Sequence, residues 1–539
     1  MRNNSNMAVL AAQGAALALL GACDDRPAAF ERGGSVIGPV ALDDRVAYVD
    51  GARDQVVVVT ADASSPEVAS YRIGRRAAYA APSPDRTHLA VLTWGDEASA
   101  PGRIDEDPML WYLDVTDPDA EPVGYPVGSP FGRIAIAPKG DGDGSPVAVA
   151  YHSPESASHD GVLRNPNELA IVDLSREPKA ENPVLRSVRS FGSAPEGVIL
   201  SPPMRIPGLG GDPRTLAFVL AEDTVTLLDT NHPMRDEVSL RVGGTGDEVM
   251  PRELAFEPDV GVAYLRSDGA RDVLEIDLRP RERGEDDERT NDFRPALAEL
   301  GAGGGPADIA SYETEHGDRF VLAATPSTRE VVLIDAATGE FRTVETPDPI
   351  DRVLLFPRGP DATPRTALLA SIGAEIPRVH LLSLDELGDS LSAVRLETVS
   401  IERPVLDVAP IPNRELGLLV HDHDRTVLGL MDVAVGSVAP IEGSERLGHY
   451  EFTSSGSHLV TASSRSGRVG VLDLDSLHPS DMRLDAEPGR ALAMAGDAIY
   501  VDHGDPFGMA TILPGPGAER SEAVVISGFL VRDVLGDEH

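Results

Sequence analysis

Cysteine is almost absent from this sequence of 539 residues, in which Cys23 is the only one. No disulfide can form within the chain, so its stability has to come from packed secondary structure. Three common catalytic motifs are also missing: the sequence has no Gly-x-Ser-x-Gly elbow, no phosphate-binding P-loop and no His-Glu-x-x-His zinc motif. These absences leave no catalytic residue to be named from the sequence.

Long helices are excluded by the abundance of residues that interrupt them. Glycine (52) and proline (44) together make up about one residue in six. The longest run without either residue after the N-terminus, residues 214–232, has strand-like spacing on both sides of Glu222-Asp223. It predicts a β-hairpin that turns at these two residues. A hydrophobic content of 41% is sufficient for a large core.

Positive charge is scarce, and lysine occurs only at Lys139 and Lys179. Lysine and arginine together number 47 against 88 acidic residues, which gives a net charge of −41. A surface of this sign repels nucleic-acid phosphates and anionic lipids and attracts cations and basic proteins. We therefore expect no nucleic-acid binding, and a partner with a basic surface or one bridged by a cation.

The N-terminus combines a polar start with an apolar run, Met7 to Ala22, that is too short to span a bilayer. The run ends in Leu20-Gly21-Ala22-Cys23, which resembles the lipobox of bacterial lipoproteins. The resemblance implies a signal peptide over residues 1–22, a lipid on Cys23 and a short tether over residues 23–35. We expect a protein of the bacterial cell envelope, on either membrane and facing the periplasm or the surface, that contacts the membrane through its lipid anchor only.

Internal repeats organise the remainder of the chain. Residues 448–484 contain three short alternating runs separated by Ser, Gly and Arg turns, followed by a fourth run, which is typical of one β-propeller blade. The third run ends in an apolar residue followed by aspartate at Asp114, Asp173, Asp229, Asp277, Asp335, Asp432 and Asp473. The repeat units start near residues 36, 78, 133, 196, 252, 306, 351, 405, 449 and 490. Ten units of about 50 residues are therefore predicted.

The pattern resembles WD40-like and YVTN-type β-propellers. Gly448-His449 and Leu472-Asp473 stand where WD40 repeats carry Gly-His and Trp-Asp, and Ser83-Pro84-Asp85 matches the usual first turn. The tryptophan of the Trp-Asp pair is missing from every unit. The resemblance implies an all-β propeller of four-stranded antiparallel blades over residues 36–531, with seven to ten blades and a tail over residues 532–539.

Acidic residues and histidines are frequent in the turns that follow second strands, which share one face of a propeller. The longest such turns belong to the second and third units. They contain Asp96, Asp105, Glu106, Asp107, His152, Glu155, His159 and Asp160. An acidic rim of this kind suits a basic ligand or a divalent cation. Turn chemistry explains the same composition, because Asp, Gly and Ser are the residues that tight hairpins select.

A second cluster of potential ligands is His421-Asp422-His423-Asp424. In a strand, His421 and His423 point to the same side and could bind a metal, with Asp502 or His503 as a further ligand. Two functions are left open. The first is a lipid-anchored propeller that acts as a protein-binding or assembly scaffold and needs no cofactor. The second is a metal-assisted hydrolase or lactonase-like propeller enzyme.

Overall fold

A computed structural model describes the chain from residue 36 to residue 532. The description omits residues 96–105, 138–145, 154–155, 157–164, 179–181, 189–193, 244–248, 282–288, 315, 358–362, 385–393, 423–425, 443–446 and 464–465. The predicted signal peptide, Cys23, the tether and most of the C-terminal tail lie outside the described residues. No helix within the described part is both long enough and apolar enough to cross a bilayer.

The described residues form ten antiparallel sheets of four strands each, in which the strands follow one another in chain order. The predicted hairpin is confirmed: Leu216–Ala221 pairs with Thr224–Asp229, and the chain turns at Glu222-Asp223. In each sheet the first strand lies at the centre of the molecule, where it contacts first strands of neighbouring sheets. We call the sheets blades 1 to 10 and their strands A to D, from the centre outwards.

The strands of blades 1 to 5 are β1 Val36–Ala41, β2 Arg45–Asp50, β3 Gln55–Thr60, β4 Val68–Arg72, β5 Ala77–Pro82, β6 His88–Thr93, β7 Met109–Asp114, β8 Val123–Pro126, β9 Arg133–Ile136, β10 Val147–Tyr151, β11 Leu169–Asp173, β12 Val184–Val188, β13 Gly197–Leu200, β14 Leu216–Ala221, β15 Thr224–Asp229, β16 Val238–Arg241, β17 Met250–Glu257, β18 Val262–Asp268, β19 Val273–Pro280 and β20 Phe293–Leu300. The strands of blades 6 to 10 are β21 Asp308–Glu313, β22 Arg319–Thr325, β23 Glu330–Asp335, β24 Phe341–Glu345, β25 Arg352–Phe356, β26 Thr366–Ala370, β27 Arg378–Ser383, β28 Leu396–Ser400, β29 Asp407–Pro410, β30 Leu416–Asp422, β31 Val427–Asp432, β32 Ser437–Glu442, β33 His449–Phe452, β34 His458–Ser463, β35 Arg468–Asp473, β36 Pro479–Arg483, β37 Arg490–Ala493, β38 Ile499–Asp502, β39 Met509–Leu513 and β40 Val524–Ser527. Short 3-10 helices at Pro258–Val260, Ala495–Asp497, Arg520–Glu522 and Phe529–Val531 complete the described elements.

The blades form a closed ring. Ten clusters of buried apolar side chains are described, and each joins the facing sides of two successive blades. One of them joins blade 10 to blade 1, where Phe529 and Leu530 pack with Tyr48 and Tyr500. Gln55 Nε2 also donates a hydrogen bond to the carbonyl of Leu530, at 2.7 Å. The predicted four-stranded propeller is confirmed, and its blades number ten.

The recurring aspartate at the end of strand C has a structural cause. In six of the seven blades where it was noted, its Oδ1 accepts a hydrogen bond from the backbone N–H two residues later and so fixes the turn into strand D. The exception is Asp277, which lies inside β19, because that strand continues to Pro280. Thr116 donates to Asp114 in this way at 2.8 Å, and Ser175 donates to Asp173 at 3.0 Å. The pattern that revealed the repeats is therefore produced by the chemistry of the turns.

Candidate functional site

The alternation of strand directions gives the ring two faces. The B–C turns and the D–A connections lie on one face, which we call the B–C face, and the A–B and C–D turns lie on the other, the A–B face. The acidic rim predicted for blades 2 and 3 belongs to the B–C face. Its described members are Glu106, Asp107 and His152, whereas Asp96, Asp105, Glu155, His159 and Asp160 lie outside the described residues.

Glu106 binds the connection through which the chain enters blade 2. Its Oε1 accepts a hydrogen bond from the backbone N–H of Arg75 at 3.1 Å, and its Oε2 lies 3.7 Å from Arg75 Nε. A Cβ atom on Gly74 would lie 2.5 Å from Glu106 Oε1 and 2.8 Å from Thr93 Oγ1, so any other residue here would displace these side chains. Asp107, the next residue, is exposed. In this part of the rim, Asp107 therefore offers an exposed carboxylate, while Glu106 is held by its own chain.

His152 is buried at the start of the B–C turn of blade 3. Its ring packs against Phe131 with centroids 4.9 Å apart, and its Nδ1 lies 3.4 Å from Ser156 Oγ. Ser153 and Ser156 exchange hydrogen bonds between backbone N–H and hydroxyl groups at 2.8 and 3.1 Å. His152 thus belongs to the buried, packed start of this turn, and its predicted role in binding stays a prediction.

Arginine and tryptophan side chains, which the sequence did not indicate for this rim, also lie on the B–C face. Trp94 Nε1 donates to the carbonyl of Phe131 at 2.8 Å and so links blade 2 to the entry of blade 3. The guanidinium of Arg76 lies over the Trp94 ring, 5.5 Å from its centroid. The rim therefore carries charges of both signs next to an aromatic ring.

The residues proposed as metal ligands are held in separate local contacts. His421 Nδ1 is 2.9 Å from the carbonyl of Pro404 in blade 8. In blade 10, His503 bonds the carbonyl of Glu487 and the hydroxyl of Thr511, at 3.0 and 2.8 Å. Within the described ranges, no three His, Cys, Asp or Glu side chains form a group that could hold a metal ion. His423 lies outside these ranges, so the metal hypothesis stays a prediction.

Asp502 has a different environment from the one predicted. It is buried at the end of β38, where its carboxylate accepts hydrogen bonds from Tyr48 of blade 1 at 2.9 Å and from the N–H of Gly504 at 3.0 Å. Burial raises the pKa of Asp502, and these two hydrogen bonds oppose the shift without cancelling it. Asp502 therefore contributes to the junction that closes the ring.

The A–B face has a cavity of about 630 Å³ between blades 2 and 3. Apolar side chains of both blades line it, among them Val123, Ile136 and Leu174. Tyr112 also lines it, and its ring stacks on that of His88 with centroids 4.7 Å apart and an angle of 6°. A concave, largely apolar space of this volume is typical of ligand sites.

Three carboxylates, Asp85, Asp114 and Glu121, lie among the residues that line this cavity. Partial burial raises the pKa of Asp114, but hydrogen bonds from Thr116 and the nearby His88 outweigh it and hold the pKa below its usual value. Burial also raises the pKa of Asp85, but hydrogen bonds from Ser83 and Thr87 outweigh this effect, so the pKa lies below its usual value. Both carboxylates are therefore ionised at neutral pH, and the rim of the cavity is negative.

The cavity was not predicted, although several of its residues had been noted for other reasons. Ser83-Pro84-Asp85 was identified as a first turn and Asp114 as the end of a third strand. Nothing in a single repeat shows how far apart the A–B and C–D turns of successive blades stand. The sequence feature that could have indicated the cavity is the occurrence of an aromatic residue, Tyr112, close to an acidic turn in the same blade.

Comparisons with known proteins assign neither a family nor a function. No family model and no curated protein matches the sequence. Among solved structures, dihydro-heme d1 dehydrogenase NirN in complex with DHE covers 67% of this chain and 72% of its own, with 14% sequence identity and a TM-score of 0.38. A likeness this distant carries no argument about ligand or chemistry.

Proposed function

We propose that this protein is a lipid-anchored β-propeller of the bacterial cell envelope that serves as a scaffold for partners with basic surfaces. In this proposal the chain is related to WD40-like and YVTN-type propellers, with a signal peptide over residues 1–22 and a lipid on Cys23. The observation that carries it is the net charge of −41 on a closed ring of ten blades. A rigid ring with exposed turns on both faces offers a wide, negative surface for docking.

The charge of the surface supports a protein partner of opposite sign. Many of the arginines are already held in ion pairs within the chain, such as Arg414 with Asp475 at 2.6 Å and Arg252 with Asp268 at 2.6 Å. Acidic residues outnumber basic ones by 41, so even if every basic side chain paired with one acid, 41 acidic side chains would remain without a basic partner in the chain. A basic partner would gain long-range attraction and faster association from this excess.

The anchor is tested by labelling cells with an alkyne fatty acid. The wild-type chain should incorporate the label and fractionate with membranes, because a lipidated Cys23 carries acyl chains that hold it there. The Cys23→Ala variant should lose both the label and the membrane fraction. Unchanged labelling of that variant would overturn the lipoprotein assignment.

The partner is tested by recovering proteins from a detergent extract of the envelope on the purified mature chain. We expect proteins with basic surfaces, and slower association after Asp105, Glu106 and Asp107 are changed together to amides. A matched control changes Asp318, Glu340 and Glu345, three exposed acids of blade 6, by the same total charge. Recovery of acidic or neutral partners only, or equal effects of the two triple variants, would contradict the proposed use of the blade 2 rim.

A further inference from the structure

At the cavity between blades 2 and 3 on the A–B face, the strand C aspartate, Asp114, has no arginine partner among the described residues, whereas the equivalent aspartates of blades 3 and 4 each have one. In blade 3, Asp173 uses Oδ1 for the turn and Oδ2 for Arg176, whose Nε lies 3.1 Å away. In blade 4, Asp229 uses Oδ1 for the turn and Oδ2 for Arg214 at 3.2 Å. In blades 3 and 4 this carboxylate therefore both caps a turn and binds a guanidinium, whereas Asp335 of blade 6 and Asp432 of blade 8 cap their turns with no arginine ion pair described.

Asp114 caps its turn in the same way but has no guanidinium bound to it among the described residues. Its Oδ1 accepts hydrogen bonds from the N–H and the hydroxyl of Thr116, at 2.8 and 2.6 Å. Among the residues that the structure describes, no lysine or arginine forms an ion pair with Asp114. Burial raises the pKa of Glu451 in blade 9, and the charge of Arg86, in the A–B turn next to Asp114, is among the effects that oppose this shift. The position that binds arginine in blades 3 and 4 thus opens onto a cavity in blade 2.

Apolar side chains line the cavity beside the Asp114 carboxylate. Ile136, Ala137 and Leu174 of blade 3 form one wall, and the exposed Val123 of blade 2 lies on another. Such a surface accommodates the methylene stem of an arginine and one neighbouring apolar side chain. The Tyr112 ring provides an aromatic surface, and this pair of blades already holds a guanidinium over an aromatic ring, with Arg133 5.0 Å from the centroid of Tyr79.

We propose that this cavity binds an arginine side chain of a partner protein, with its guanidinium on Asp114 and an adjacent apolar side chain of the partner on the wall from blade 3. The inference rests on the proposed function for the existence of a basic partner, and it specifies which residue of that partner is recognised and where. Arginine fits better than lysine because Oδ2 of the equivalent aspartates in blades 3 and 4 already accepts from a guanidinium, and because the face of a guanidinium stacks on aromatic rings.

The experiment measures binding of the peptide acetyl-Leu-Arg-Leu-amide to the mature chain by titration calorimetry at low salt. The same peptide with citrulline in place of arginine keeps the shape and removes the charge. We expect the citrulline peptide to bind at least about tenfold more weakly, because the charged hydrogen bonds are lost. Equal binding of the two peptides, or no arginine-dependent binding at all, would overturn the inference.

Two variants of the protein test whether the peptide binds in this cavity. Asp114→Asn should weaken binding at least about fivefold. Asp432→Asn is the matched control, since Asp432 caps the same turn of blade 8 through Ala434 N–H at 3.1 Å and does not line the cavity. Val123→Arg should also block binding, because it brings the chain's own guanidinium to the cavity. Equal affinities for Asp114→Asn, Val123→Arg and Asp432→Asn would contradict the site.

The outcomes separate this inference from the function on which it rests. If envelope partners bind Asp114→Asn as well as they bind the wild-type chain, the scaffold function stands and the cavity is not its docking point. If the peptide binds in an arginine-dependent way but no basic envelope partner is recovered, the site stands and the scaffold function fails. If benzamidine binds and the peptide does not, the cavity takes a small organic cation and the assignment to a protein partner is wrong.

Discussion

Tyr48 in the first blade donates a hydrogen bond to Asp502 in the last, with Tyr48 Oη 2.9 Å from Asp502 Oδ1. The two residues are 454 positions apart in the chain, and both are buried. The hydroxyl of Tyr500 lies 3.0 Å from that of Tyr48 and extends the contact within the same junction. In a ring whose blades are each made from one continuous segment, this polar contact stabilises the joint between the two ends.

Removing the Tyr48 hydroxyl should weaken this joint. The Tyr48→Phe variant leaves the buried Asp502 carboxylate without one of its donors, which costs about 1–3 kcal/mol of the free energy of unfolding. Tyr71→Phe is the control, since the described part of the chain gives that hydroxyl only two long contacts, each of 3.4 Å, to backbone carbonyls. Urea unfolding measures both. Equal losses in the two variants would mean that the hydroxyl at the junction contributes nothing specific.

Asp308, a buried carboxyl group on the inner strand of blade 6, is paired with the partly exposed Glu253 of blade 5 and makes stability depend on pH. Burial raises the pKa of Asp308 to about 7, and its hydrogen bond with the Glu253 carboxyl adds to the shift, while the N–H of Val353 at 2.7 Å opposes it. The folded state therefore holds a proton that the unfolded state releases. The contribution of Asp308 to the free energy of unfolding falls as the pH rises from 3.8 to about 7.

The Asp308→Asn variant should remove this dependence. Asparagine can still accept from Val353 and donate to Glu253 without carrying a charge, so the variant should be about 1–3 kcal/mol more stable than wild type at pH 8. The two proteins should be alike near pH 4. Urea midpoints from pH 4 to pH 8 measure the difference, and Asp335→Asn removes one charge from a turn of the same blade as a control. A constant difference across this range would refute the role of the pair.

An ion-pair group joins blade 4 to the loop before strand D of blade 5. Arg214 donates to both oxygens of Asp292 at 2.7 and 2.9 Å, and Arg235 also contacts Asp292. Partial burial opposes the shift, but these arginines lower the pKa of Asp292 to about 2. The stabilisation is therefore present above pH 3.8 and is lost as the pH falls through about 2.

Neutralising this carboxylate should destabilise the protein at neutral pH. Asp292→Asn should lower the free energy of unfolding by about 1–3 kcal/mol at pH 7, because it leaves two partly buried arginines with Asp229 but without their second carboxylate. The difference from wild type should shrink as the pH approaches 2. Asp485→Asn, which disrupts an exposed pair with Arg520, should change stability by less than about 0.5 kcal/mol. Similar effects of the two variants would contradict the geometry.

Gly95 fixes the B–C turn that carries Glu106 and Asp107. Its φ is +69°, and a Cβ atom there would lie 2.2 Å from the Glu106 carbonyl oxygen. Gly128 has a similar φ of +76° with no atom within 4 Å of such a Cβ. Thermal unfolding should show a loss of about 1–2 kcal/mol for Gly128→Ala, from backbone strain alone, and a clearly larger loss for Gly95→Ala. Equal losses would mean that the Glu106 carbonyl is not close to Gly95.

The fold was predictable because each blade repeats the same local chemistry. First strands start at Val36, Ala77, Arg133, Gly197, Met250, Asp308, Arg352, Asp407, His449 and Arg490, within two residues of the predicted positions. Alternating apolar residues and an aspartate at the C–D turn occur within a few tens of residues, so they are visible in one sequence. The number of blades in the ring follows from the contact between blades 10 and 1, which the repeat pattern does not contain.

The candidate site was predictable only in part, because it depends on contacts between blades. Acidic residues at the turns of blades 2 and 3 were found, but Glu106 holds the Arg75 backbone and His152 packs on Phe131. Both uses depend on the D–A connections, whose conformation no repeat pattern specifies. The cavity beside Asp114 depends on the spacing of two blades, and the arginine that blades 3 and 4 place on the equivalent aspartate has no counterpart at Asp114 among the described residues. Such a difference becomes visible once the blades are superimposed.

The most direct test of the account is the rate at which the purified mature chain associates with its recovered envelope partner at different salt concentrations. Exposed charges are screened beyond about 8 Å at physiological salt, so a complex formed by the acidic ring and a basic partner should associate markedly more slowly as salt rises. Dissociation should change much less. An association rate that stays constant from low to high salt, or a partner without a basic surface, would contradict the proposal that this propeller is an acidic scaffold.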